Sequence, residues 1–274
     1  MGYNPKTIRK HFDELAEEEW ERLVKSPVEE IKLHIHSHYL KKFVLPENRV
    51  LEIGAGPGRF TEILHELQCK VVVADISKVQ LNLNKKFATD REFAASVESW
   101  IQLDICDMKQ LAAESFDVVL VYGGPLSYVL EERDLALQEC KRILKRGGLL
   151  LASVMSLWGA SHRYFSIILE LPLERNREII RTGDLTPITQ PENNHHCHMF
   201  RAKEYRDFLE RNGLEILAMS ASNSISTNFE TELEAARRDE DLWQDVLKFE
   251  LEASAEEGYL DGGTHIISVA RKPA

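Results

Sequence analysis

The sequence predicts an α/β protein built on a mostly parallel sheet with helices on both faces. Two observations carry this. From Val50 onward, near-continuous Val/Leu/Ile runs alternate with segments of helical period, and such runs mark strands covered on both sides. The order is strand then helix, repeated, as a parallel sheet layered between helices requires.

The elements follow in order. "VLEIG" (50–54) reads as the first buried strand and "RFTEILHEL" as the helix after it. "KVVVADIS" (70–77) is a second strand ending in an acid, followed by the helical "KVQLNLNKKFAT". "SWIQLDICDM" (99–108) holds a short third strand, and "FDVVLVYGG" (116–124) is the fourth. "RDLALQECKRILKRGG" is an amphipathic helix that Gly147 and Gly148 are expected to end, before the fifth strand "LLLASVM". "LEILAMSAS" (214–222) and "HIISVARK" (265–272) supply two more strands. Three segments break the rhythm: a polar helical cap over 1–45, an insert over 156–200, and a helical stretch over 229–257 with eleven Asp/Glu against three Lys/Arg. Long inserts in a compact domain act as lids or binding loops. The organisation expected is one domain over 1–274, with a core of 46–155 and 201–274.

Composition excludes several classes. The 274 residues, 43% hydrophobic, suffice for one large domain. The longest apolar runs fall far short of the roughly 20 residues that span a bilayer. The first twenty residues are charged throughout, without the apolar core of a secretory signal. Cys69, Cys106, Cys140 and Cys197 form no CxxC pair, which points to reduced thiols and a cytoplasmic protein. A net charge of −11 argues against a nucleic-acid partner, since the longest basic run, Lys141 to Arg146, is one face of a helix.

The chemistry concentrates at strand ends, where open parallel sheets bind ligands. "EIGAGPG" (52–58) is not a dinucleotide fingerprint, because its third glycine comes one residue early, at Gly58. It is not a P-loop either, because no Gly-Lys-Ser/Thr follows. Three glycines admit a ligand close to the backbone, and Glu52 favours a cation over a phosphate. Asp75, about twenty residues on, suits a carboxylate that accepts two ribose hydroxyls; capping the next helix is its other reading, with Ser77 competing. Asp104, with the apolar Ile105, suits the amine and face of an adenine, or is a surface carboxylate. "VYGGPLSY" leaves room and exposes carbonyls that suit an ammonium.

These motifs in register, "VLEIGAGPGRF", "VVVADIS", "LDICDM" and "FDVVLVYGGPLSY", backed by "ECKRILKRGGLLLASV", resemble the class I S-adenosylmethionine-dependent methyltransferases. The resemblance implies a Rossmann-like, seven-stranded, mostly parallel sheet whose last strand is antiparallel, with helical lid insertions. It implies that Glu52, Gly54, Gly56 and Gly58, with Tyr122 and Gly123, hold the amino-acid end of S-adenosylmethionine. Asp75 and Ile76 would hold its ribose, and Asp104 and Ile105 its adenine. S-adenosylhomocysteine would be the product. Phe12 and Trp20 would be aromatic cover from the cap.

The acceptor side must come from the inserts. A small-molecule acceptor is expected, with Tyr128, Trp158 and Phe200 against it; RNA or protein methylation and non-catalytic cofactor binding are the alternatives. His198, where the insert rejoins the core, is the candidate base, with His196 in reserve because alternate residues of an extended segment share a side. The histidine clusters 34/36/38 and 195/196/198 could ligate a metal, but buried or surface packing accounts for them, and no metal is expected. A monomer or homodimer is expected.

Overall fold

The computed structural model describes residues 2–190 and 195–274, so positions 191–194 of the expected insert lie outside the description. The cap comprises α1 (Pro5–Leu15), α2 (Glu18–Glu21) and α3 (Pro27–Phe43). Asn4 caps α1 by accepting the Lys6 N–H, and Pro5 pre-sets the first turn. The core then runs β1 (Arg49–Ile53), α4 (Arg59–Glu66), β2 (Lys70–Asp75), α5 (Lys78–Asp90), β3 (Val97–Gln102), β4 (Phe116–Val121), α6 (Pro125–Tyr128), α7 (Arg133–Ile143) and β5 (Leu144–Met155). The insert contributes α8 (Leu157–Arg163), α9 (Phe165–Glu170), α10 (Leu173–Thr182) and a two-residue pair, β6 (Asp184–Leu185) and β7 (Cys197–His198). The chain closes with α11 (Ala202–Arg211), β8 (Glu215–Ala221), α12 (Glu230–Ala236), α13 (Glu240–Ser254) and β9 (His265–Arg271).

The main sheet has the order β3-β2-β1-β4-β5-β9-β8. Its first five strands are parallel, and β9 lies antiparallel between β5 and β8. Successive strand residues feed opposite faces. Val50, Val71, Val118 and Leu120 pack toward α3 and α4 with Ile31, Ile35 and Leu64. Leu51, Ile53, Val119 and Val121 pack toward α7 and α11 with Leu137, Tyr205 and Phe208. Each such aliphatic side chain contributes about 1.5–3 kcal/mol on burial. Strand order reverses between β1 and β4, and that reversal leaves a crevice at the strands' carboxyl ends.

One local expectation is corrected. Gly147 and Gly148 do not end a helix, because α7 stops at Ile143 and both glycines lie inside β5. The β4–β5 register shifts there, from Phe116 opposite Leu144 to Val118 opposite Leu149. Gly147 takes a positive φ of 74° in this irregularity while its N–H reaches the Lys272 carbonyl. No helix among the described residues is long and apolar enough to cross a membrane.

Candidate active site

A cavity with about 880 Å³ of empty space, partly open to solvent, lies at the strand reversal. Its floor is Ile53 to Pro57 after β1, Asp75 and Ile76 after β2, Leu103 and Ile105 after β3, and Tyr122 and Gly123 after β4. Its roof is the cap, through Tyr3, Ile8, Phe12, Glu19, Arg22 and Leu23.

The glycine loop is built from beneath. The Gly54 and Ala55 N–H groups donate to the Ala74 carbonyl at 2.9 and 3.2 Å, so the loop leaves β1 still tied to β2. Glu52 is buried and does not line the cavity; its Oε2 accepts the Thr61 hydroxyl at 2.6 Å. The Asn84 amide donates to Thr61 Oγ1 and to the Gly56 carbonyl, and its own oxygen accepts the Trp100 indole N–H at 2.9 Å. Glu52 therefore steadies the loop through Thr61 and Asn84. Burial pushes its pKa up to about 8, against the lowering effect of the Thr61 hydrogen bond.

The glycines divide in role. Gly54 (φ +69°) lines the cavity, and a Cβ there would come within 2.7 Å of Pro125 Cγ. Gly56 (φ +52°) also lines it, with nothing closer than 3.7 Å to its would-be Cβ. Gly58 does not; it starts α4 and packs against Asn84 and Phe93.

Asp75 stands in the cavity wall, and each carboxylate oxygen accepts one backbone N–H: Oδ1 from Ser77 at 2.8 Å and Oδ2 from Gly56 at 2.9 Å. Burial raises its pKa to about 6, although both N–H groups favour the charged form. The helix cap of α5 is Ser77, whose hydroxyl accepts the Gln80 N–H. Ile76, Ile105, Tyr122, Gly123 and Tyr128 all line the cavity. Asp104 does not, and its Oδ1 accepts the Tyr3 hydroxyl and the Cys106 N–H, both at 2.8 Å. The cap thus occupies one oxygen of the carboxylate assigned to an adenine amine.

Several acceptor-side expectations are corrected. His198 is 2% exposed and lies outside the cavity wall. Its Nδ1 meets Asp184 Oδ1 at 2.7 Å and its Nε2 meets Glu204 Oε1 at 2.9 Å. Burial opposes its charge, but the two carboxylates outweigh burial and hold its pKa above the ordinary value. It clasps β6 to α11 and has no ring nitrogen left for a substrate. Phe200 is fully buried in the core between His198, Tyr205 and Phe208. Trp158 sits on the surface of α8 with the Arg201 guanidinium over its ring, away from the cavity. His196 is half-buried, and its Nε2 has no hydrogen-bond partner among the described residues. His195 does not line the cavity either, but it backs a residue that does: its Nε2 is hydrogen-bonded to the Tyr128 hydroxyl at 3.0 Å and its ring stacks on His11. Burial lowers its pKa to about 4, so it is neutral. Among the described residues, no group of three or more His, Cys, Asp or Glu side chains is arranged to hold a metal.

Sequence reasoning missed most of the roof. Phe12 lines the cavity edge-on to Tyr128, but Trp20 does not; it is sandwiched between Phe87 (4.2 Å) and the Arg59 guanidinium (3.8 Å) and docks the cap. Gln80 adds hydrogen bonds to the Phe12 and Ala16 carbonyls, and Ser77 donates to Asp13. The available signal was the amphipathic spacing of Ile8, Phe12 and Leu15 and the lone arginine in the acidic run "EEEWER".

Residues 51–152 match the family model of a methyltransferase domain. No curated protein matches the sequence. Among solved structures, a chain of the Haloferax volcanii complex of the Trm112 methyltransferase activator with a methyltransferase is 19% identical, with a TM-score of 0.62 over 97% of this chain and 98% of that one. An S-adenosylmethionine-dependent methyltransferase from Mesorhizobium loti is 16% identical, with a TM-score of 0.58 over 86% and 97%. The [4+2]-cyclase SpnF is 18% identical, with a TM-score of 0.58 over 88% and 82%. At these identities the likeness is one of fold.

Proposed function

We propose that this chain, which carries the class I S-adenosylmethionine-dependent methyltransferase fold and a methyltransferase domain over residues 51–152, transfers a methyl group to a small-molecule acceptor. The observation that carries the small-molecule reading is the roof: Tyr3, Ile8, Phe12 and Arg22 close over the strand ends, and a polymer needs an open, basic cleft.

The floor fits the cofactor. Gly56 and Gly123 have positive φ and nothing closer than 3.7 and 3.8 Å to a would-be Cβ, so the floor is bare backbone between the acid Asp75 and the aromatic Tyr122. Gly54, Gly56 and Gly123 would lie under the amino-acid end. Asp75 would accept ribose hydroxyls with the lone pairs its two N–H partners leave free. Leu103 and Ile105 would cover the adenine. S-adenosylmethionine supplies a methyl carbon activated by its sulfonium; the chain supplies alignment and exclusion of water. Tyr128 keeps its proton, because burial raises its pKa well above normal, and His195 is neutral. This pair orients an acceptor by hydrogen bonding and is a poor base, so the reading favours an acceptor atom already nucleophilic at neutral pH.

Calorimetry with S-adenosylhomocysteine after chelator treatment tests the cofactor, and product formation with a panel of amines, phenols, thiols and carboxylic acids tests the acceptor. Tight NAD binding in place of S-adenosylhomocysteine would overturn the reading. SpnF marks the fold as compatible with other chemistry, so binding without transfer would indicate a different reaction at the same site. Methylation of RNA or protein with an activator subunit is a second reading, favoured by the likeness to the Haloferax volcanii chain over 97% of this one. The roof and the net charge of −11 oppose it. A cytoplasmic monomer or homodimer completes the proposal.

A further inference from the structure

We propose that Arg22 is a built carboxylate subsite of the cavity, taking the carboxylate of the acceptor or that of the cofactor's amino-acid end. The inference rests on the methyltransferase reading and adds a ligand group to it. Arg22 follows α2 and lines the cavity. Its Nε donates to Glu19 Oε1 at 2.5 Å, which fixes the plane of the guanidinium. Among the described residues, neither Nη1 nor Nη2 has a hydrogen-bond partner. Nη2 stands 3.8 Å from where a Gly123 Cβ would be, directly over the backbone at the end of β4.

A guanidinium offers five N–H donors in a fixed plane, and this one uses the Nε edge alone. The remaining fork matches a planar carboxylate, which accepts two parallel bonds. A phosphate asks for more donors and more positive charge than one arginine with a glutamate alongside provides. The neighbouring groups leave the fork without competition. Lys32 is already held by Glu29 at 2.7 Å. His36 is buried and His265 half-buried, and both are held neutral, by desolvation first and then by the nearby charges of Arg22 and Lys32. Tyr128 keeps its proton. Asp75, the other acid on the floor, is occupied by Gly56 and Ser77.

The experiment is calorimetry on wild type, Arg22→Ala and Arg22→Lys, with three probes: S-adenosylhomocysteine, 5′-methylthioadenosine, which lacks the amino-acid end, and benzoate added to the S-adenosylhomocysteine complex. If the cofactor's carboxylate sits here, Arg22→Ala weakens S-adenosylhomocysteine by about 10- to 100-fold and leaves methylthioadenosine unchanged. If the acceptor's carboxylate sits here, S-adenosylhomocysteine is unchanged, while wild type binds benzoate but not benzamide and the variant loses benzoate. Arg22→Lys keeps the charge without the fork and falls between the two. Equal affinities for all probes in wild type and both variants would overturn the subsite. Failure of wild type to bind S-adenosylhomocysteine at all would instead overturn the methyltransferase reading. Thermal melting confirms folding of each variant; should Arg22→Ala not fold, Arg22→Lys carries the same comparison.

Discussion

The N–H of Gly56 donates to Asp75 Oδ2 at 2.9 Å, so the carboxylate at the end of β2 holds the glycine loop at the end of β1. One side chain thereby fixes the loop's shape and faces the cavity. Asp75→Asn keeps an oxygen toward one of its backbone donors but removes the charge. We predict that S-adenosylhomocysteine binds at least tenfold more weakly to this variant, as loss of a charge-assisted hydrogen bond of about 1.5–3 kcal/mol requires. The Asp75 pKa of about 6 adds a sign. Below it the group is protonated and loses an acceptor, so wild-type affinity should fall as pH drops through 6, and Asp75→Asn should show no such dependence. Titration calorimetry between pH 5 and pH 8 checks both; an unchanged dissociation constant would leave Asp75 with the loop-holding role alone.

Glu52 bears on stability. Its pKa of about 8 in the fold lies above the carboxylate's ordinary 4.5, so the folded chain binds a proton more tightly than the unfolded chain. That contribution is fully present below the unfolded value and is lost as pH rises through about 8. Glu52→Gln, which keeps a hydrogen-bonding oxygen toward Thr61, should leave melting at pH 5 nearly unchanged. At pH 9 it should stabilise the ligand-free protein by on the order of 5 kcal/mol. Parallel melting curves for the two proteins across that range would refute the assignment.

His198 gives a prediction of the same form. Its folded pKa is raised by Asp184 and Glu204, so the stability it supplies is complete below about 6.5, its unfolded value, and is lost as pH rises through the higher folded one. Above that point one of the two carboxylates faces a nitrogen without a proton. His198→Ala should leave Asp184 and Glu204, each about a third exposed, to hydrate, at a cost of about 1–3 kcal/mol. The insert should become sensitive to limited proteolysis, with S-adenosylhomocysteine affinity unchanged. A large fall in turnover at unchanged insert stability would restore His198 as a base.

Trp20 anchors the cap between Phe87 and Arg59. Trp20→Ala should cost about 3–5 kcal/mol, as removal of a buried tryptophan does. Because the loss falls on cap docking, trypsin should cleave within residues 6–25 first, while far-UV circular dichroism of the core persists. Resistance equal to wild type would show that α1 and α2 are held elsewhere.

The strands and the floor of the cavity were legible because they depend on local pattern. A buried strand reads as an apolar run whichever strand it pairs with, and the ligand-facing backbone must be glycine where φ is positive. Asp75 was legible for the same reason: it ends a strand, and strand ends face the crevice. The roof was not legible, because Arg22 reaches Gly123 only through the docking of a cap whose own sequence is an acidic amphipathic helix. His198 was misread because its partners lie fourteen residues before it and six after, and neither acid announces its direction. Glu52 was read as facing the ligand because it stands at a strand end beside the glycines. One residue's difference in a strand reverses the face, and Thr61 on α4 claims it from below.

The Tyr3 hydroxyl rests on Asp104, and the Tyr3 N–H is held by Glu131. The third residue of the chain is thereby tethered to both banks of the crevice, one beyond β3 and the other beyond α6. A ligand lying along the floor would pass beneath these two ties. Under the proposed function, opening of this tether would be a step of product release separate from the chemistry, and its two hydrogen bonds would lengthen the stay of the spent nucleoside.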